Sequence, residues 1–132
     1  MKYYNFLFIL LLFSCNEDVS MDSGAIELAF GRWELIETFQ SDSAILNPIF
    51  EPVDIKIWLE INEDGFVSAN GMLCEFSQSE IVITGFYSLE ENSILTECLD
   101  GTRTHQLSFS DNDLILSYSG CKEICQAKFE RT

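Results

Sequence analysis

Residues 55–65 read Ile-Lys-Ile-Trp-Leu-Glu-Ile-Asn-Glu-Asp-Gly. Ile55, Ile57, Leu59 and Ile61 alternate with Lys56, Trp58, Glu60 and Asn62. A period of two is the signature of a strand with one face in a core. Glu63-Asp64-Gly65 then signals a hairpin, because Asp-Gly tolerates the positive φ of a tight turn. The same pattern repeats outward. Upstream, Trp33, Leu35 and Phe39 fall on one face of a first strand, with Arg32, Glu34 and Thr38 opposite. Ile36 interrupts that alternation, as in a strand covered on both sides. Downstream, a third strand runs from Phe66 to about Phe76, and a fourth sets Ile81, Ile83, Tyr87 and Leu89 on one face. A fifth is short, near Ser93 to Cys98. The sixth carries His105, Leu107 and Phe109, the seventh Leu114, Leu116 and Tyr118, and the eighth Ala127, Phe129 and Arg131. Asp100-Gly101 and Asp111-Asn112-Asp113 supply turns. Residues 25–30 predict one short helical turn before the first strand. Pro48 and Pro52 sit in the longest loop, 41–54, under which Trp58 is expected to pack, an exposed surface contact being the alternative.

Eight strands joined by hairpins close most simply as an all-β, eight-stranded antiparallel up-and-down barrel, which removes exposed edges. A two-sheet sandwich is the alternative. The chain has 132 residues, which fits one domain. Its net charge of -15 argues against nucleic acid, whose phosphates require a basic face. Its 47% apolar and 13% aromatic content excludes a disordered acidic tail.

The N-terminus reads as an address. Lys2 precedes an apolar run from Tyr3 to Phe13, too short for a bilayer-spanning helix, which needs about 20 residues. The run ends in Leu12-Phe13-Ser14-Cys15, which resembles a bacterial lipobox. That resemblance implies a signal peptide over residues 1–14 and a lipid-bearing Cys15, its thiol diacylated and its freed amine acylated. Phe13 is bulkier than the usual residue at its place. It further implies anchoring in the outer membrane of a Gram-negative bacterium, on the periplasmic face or the cell surface. Residues 15–24 then form the lipidated cysteine and an acidic linker, with Glu17 and Asp18 like a loose surface-export signal. Cleavage removes Lys2 and leaves six basic against 22 acidic side chains, a net charge of −16.

Gly31-Arg32-Trp33, opening the first strand, resembles the Gly-x-Trp signature of lipocalins. In that family the tryptophan plugs one end of the barrel and an arginine late in the last strand packs across it; Arg131 occupies such a place. The closer likeness is to small bacterial lipocalin-like lipoproteins, through Gly-x-Trp, Asn70-Gly71-Met72-Leu73-Cys74, and the late pair Cys121 and Cys125. It covers residues 29–132 and implies a lipocalin-like barrel domain over residues 25–132. The chain is shorter than true lipocalins, lacks their C-terminal helix and shows no counterpart of their middle-strand motif.

With Cys15 assigned to the anchor, Cys74, Cys98, Cys121 and Cys125 remain. Alternating strand directions put all four toward the barrel end opposite Trp33. Export favours two disulfides, and four cysteines allow three pairings. The favoured pairing is Cys74–Cys98 with Cys121–Cys125; a zinc site of four thiolates is the alternative. The single histidine, His105, lies in the inward register and reads as a hydrogen-bonded core residue rather than a base. Glu63-Asp64 and Asp111-x-Asp113 serve as turns and match no calcium-loop spacing. No catalytic motif, metal or cofactor is expected. Two roles follow for a monomeric domain. One is binding a small hydrophobic ligand at the barrel's open end. The other is an interaction or inhibitor module whose acidic surface engages a basic protein such as a lysozyme. A filled lumen favours the second role and a pocket of about 300 Å³ or more the first.

Overall fold

A computed structural model describes residues 28–41, 47–110 and 112–132. The signal segment 1–14, Cys15 and the linker lie outside the described residues. Among the described residues nine strands form: β1 Gly31–Ser41, β2 Glu51–Pro52, β3 Trp58–Ile61, β4 Phe66–Gly71, β5 Gln78–Ser88, β6 Ser93–Cys98, β7 Gly101–Ser110, β8 Asp113–Tyr118 and β9 Ile124–Arg131. β1 and β3 to β9 pair in chain order, all antiparallel, and β1–β9 pairing closes the sheet into an eight-stranded up-and-down barrel. β2 is a two-residue addition on the edge of β1. Closure satisfies the edge groups that an open sheet of this length would expose.

Alternation generates the core. Trp33, Leu59, Ile61, Val67, Leu114, Leu116 and Phe129 are at most 1% exposed, and they pack together inside the barrel. The 62–65 turn closes by Gly65 N–H to Asn62 O at 2.9 Å, while Asp64 Oδ1 accepts the Phe66 N–H.

Three registers differ from simple alternation. In β1, Leu35 pairs with Phe129 and Glu37 with Lys128, so Ile36 is an extra residue, a β-bulge. Past it the faces exchange. Thr38 opposes buried Ala127, whereas Phe39 opposes Gln126 on the outer face and packs at 5.9 Å against Phe50. Phe39 therefore does not share a face with Trp33. Ile55 likewise lies outside β3 and is exposed; Ile57, bonded through its carbonyl to Leu35 N–H, is the first inward residue. The third strand stops at Gly71 rather than near Phe76. Met72 there has φ 64°, and Met72 and Leu73 turn inward over the barrel end.

β5 departs most. Ala69 pairs with Ile83 and Gly71 with Gln78, so Asn70 alone faces Ser79 to Val82. Pairing of β5 with β6 begins only at Gly85 and Thr96. The first half of β5 thus peels away from β6. Ile81 and Leu89, expected on the inner face with Tyr87, are exposed, and Ile83 is half-buried.

Candidate functional site: the two barrel ends and a lateral cleft

Strand direction defines two ends. The first carries Gly31, the 62–65 turn and Arg131. Trp33 fills it, and its indole Nε1–H donates to Ala29 O at 3.1 Å, where Leu28 and Ala29 are helical. The Arg131 guanidinium lies 4.6 Å from the Trp33 ring centroid and donates to Leu28 O. A Cβ on Gly31 would stand 3.5 Å from Arg131 Nη1, so Gly31, Trp33 and Arg131 meet at one place. The cation over the indole face contributes about 0.5–2 kcal/mol. Trp58, outward on β3, is covered by Arg32, whose guanidinium carbon is 4.5 Å from its ring centroid.

The second end carries all four described cysteines. Cys74 is bonded to Cys98 and Cys121 to Cys125, with Cα separations of 5.5 and 6.1 Å. Among the described residues no group of three or more His, Cys, Asp or Glu side chains is placed to hold a metal. His105 is fully buried beneath this end and stacks on Tyr118 with ring centroids 5.0 Å apart. Ser119 N–H donates to His105 Nδ1 at 3.2 Å, which makes Nδ1 the acceptor. Nε2–H therefore donates to Leu73 O at 2.7 Å. Burial, aided by the nearby Arg103 charge, lowers the imidazole pKa below its usual 6.5, against the opposing pull of the Leu73 hydrogen bond. Both nitrogens are engaged in structure. Burial also raises the Tyr118 phenol, which donates to Cys74 O. The 72–77 and 119–123 loops are so tied into a lid of protein over the barrel end.

The interior is occupied by side chains. Ile57, Tyr87 and Tyr118 join the core cluster, and Phe109 packs against it, its ring 6.0 Å from Trp33. Among the described residues a cleft of about 990 Å³ lies laterally, between the peeled half of β5 and the β6–β7 hairpin, with the Cys74–Cys98 disulfide in its lining. Its apolar wall comes from Ile81, Val82, Phe86, Leu95 and Leu99, all exposed. The Phe86 ring of that wall packs 4.7 Å from Phe66, which continues the apolar surface across β4. Its rim holds four carboxylates, Glu75, Glu80, Glu97 and Asp100, against one guanidinium, Arg103, which is bonded to Asp100. The cleft lies toward the barrel end that carries the cysteines, opposite the end filled by Trp33.

From sequence alone a ligand site is expected at the barrel's open end, not in this cleft. Its trace was the run Ile81-Val82-Ile83, apolar on successive residues and so incompatible with one buried face.

No family model, no curated protein and no solved structure matches the chain. The lipobox and the lipocalin likeness rest on the motif residues alone, and the fold rests on the strand order.

Proposed function

We propose that this chain is a lipid-anchored protein of the outer membrane of a Gram-negative bacterium, and that its barrel is a non-enzymatic binding module for a basic protein. A small β-barrel is compatible with ligand binding in general. The observation that carries the narrower reading is the filled interior, set beside an acidic, apolar-walled cleft on the outside. Eight short strands enclose large side chains or one small ligand, and here the side chains hold the space. The unbalanced carboxylates speed encounter with cations and resist anions. Three of the other basic side chains are engaged elsewhere: Lys128 contacts Glu37 and Asp113, and Arg32 and Arg131 cover tryptophans. His105, with both nitrogens bonded and no exposed surface, supports a structural role.

Two experiments test this reading. Cys15→Ala is expected to move the protein from the membrane to the soluble fraction and to remove the mass of the acyl chains. Several chains anchor stably at about 0.8 kcal/mol per buried CH₂; retention in the membrane at unchanged mass would overturn the anchor. The full chain in neutral nanodiscs is then titrated with hen lysozyme as a basic protein and, separately, with a lipophilic fluorophore. Binding of lysozyme that weakens at least tenfold between about 50 and 300 mM salt supports the module, because the Debye length falls below 10 Å over that range. Stoichiometric uptake of the fluorophore with no lysozyme binding would favour a small-ligand carrier instead.

A further inference from the structure

Resting on that reading, we propose that the cleft receives an extended segment of the basic partner as an added strand, hydrogen-bonded to the free edge of β5. The ladder between β5 and β6 ends at Gly85 and Thr96, so residues 79–84 have no β6 partner. Tyr87 N–H bonds Gly65 O on the β4 side. Alternation from Tyr87 therefore turns the N–H and C=O of Thr84, and of Val82 before it, toward the cleft. An unpaired row of this kind is a template for another strand, and β-augmentation is a recurring mode of peptide recognition. Native edges are ordinarily blunted by lysine, proline or brevity. This one reads Ser-Glu-Ile-Val-Ile-Thr, with neither lysine nor proline.

The splay is built in. An added Cβ on Gly85 would come within 2.7 Å of both Leu95 O and Thr96 Oγ1. Only glycine lets β5 pinch against β6 at this point, and beyond the pinch the strands part. The opened edge faces exposed Leu95 and Leu99 across the cleft. An incoming strand would place alternate apolar side chains on the inner face beside Ile81 and Ile83 and alternate basic ones on the outer face at Glu80 and Glu97.

Charge selects the occupant. A second copy of the cleaved chain, with six basic against 22 acidic side chains, brings net −16 to an acidic rim and is repelled. The chain's own linker, 16–24, has Glu17, Asp18 and Asp22 and no basic residue, so it supplies no complementary charge. A partner segment alternating apolar and basic residues matches both the wall and the rim.

The test uses the full chain in neutral nanodiscs and a capped octapeptide of alternating valine and lysine. Binding with new hydrogen-exchange protection at Val82 and Thr84 is expected. The same peptide N-methylated on alternate amides should bind at least tenfold more weakly, and its valine–glutamate counterpart more weakly still. Val82→Pro should reproduce the tenfold loss; should that variant unfold, Glu80→Lys combined with Glu97→Lys should weaken the lysine peptide tenfold. Equal binding of the methylated peptide, or protection confined to residues outside 79–86, would overturn strand addition. Lysozyme binding without peptide binding overturns strand addition alone. Failure of both probes removes the basic-partner reading with it.

Discussion

Replacing Cys74 and Cys98 together with alanine is expected to destabilise the barrel by about 3.5 kcal/mol, against about 2 kcal/mol for Cys121 and Cys125. The difference follows from loop length, since a cross-link acts largely by restricting the unfolded chain. The first bridge spans 24 residues and the second only 4. The longer bridge also joins elements that no ladder connects. Cys74 lies in the loop after β4 and Cys98 ends β6, while β5 between them has peeled away. Its loss leaves the 72–77 loop held by Leu73 O to His105 and Cys74 O to Tyr118. Equilibrium urea denaturation of the two double variants measures the costs. Hydrogen exchange should rise in residues 72–77 and 96–98 for the first pair only. Equal costs, or the reverse order, would mean that the shorter bridge constrains more than its own turn.

The barrel was legible because alternation is a local property, and most strands keep it for their whole length. Ile57, Leu59 and Ile61 announce β3, and Leu114, Leu116 and Tyr118 announce β8, with no knowledge of what lies opposite. Failures came where a register depends on the neighbour. The bulge at Ile36 exists because β1 must curve against β9, and it sends Phe39 outward; the sequence marks only that alternation breaks there. Gly71 ends β4 for a reason outside its own strand: a Cβ there would stand 2.4 Å from Ser77 O. The stretch Asn70 to Cys74, which carried the family likeness, proves to be the closure of one barrel end. Asn70 receives Trp58 N–H and donates to Lys56 O, Leu73 is buried, and Cys74 is cross-linked. The cleft was the least legible feature. It is made by strands that fail to pair, and pairing is a relation between distant segments rather than a pattern within one.

Stability should fall as pH drops from about 7 toward 5, and His105 should be the cause. The folded imidazole has a pKa below the usual 6.5, chiefly through burial, with the Arg103 charge adding to the effect. Between the two values the unfolded chain holds a proton that the native barrel does not, and stability then rises with pH. The contribution is complete above about 6.5 and is lost as pH falls through the folded pKa. His105 is the only histidine, the side-chain type whose ordinary titration falls between about pH 5 and 7. Relief of acidic self-repulsion at lower pH acts in the opposite direction, which makes the sign diagnostic. Protonation would also place a donor on Nδ1 against the Ser119 N–H, which now donates to it. His105→Gln removes the titration and should flatten urea midpoints across the window. His105→Ala should cost about 2–4 kcal/mol at pH 7, since it orphans Leu73 O and Ser119 N–H and leaves a cavity against Tyr118. A His105→Gln variant that keeps the native pH slope would sink the assignment. A native protein that gains stability between pH 7 and 5 would overturn the expected fall over that window.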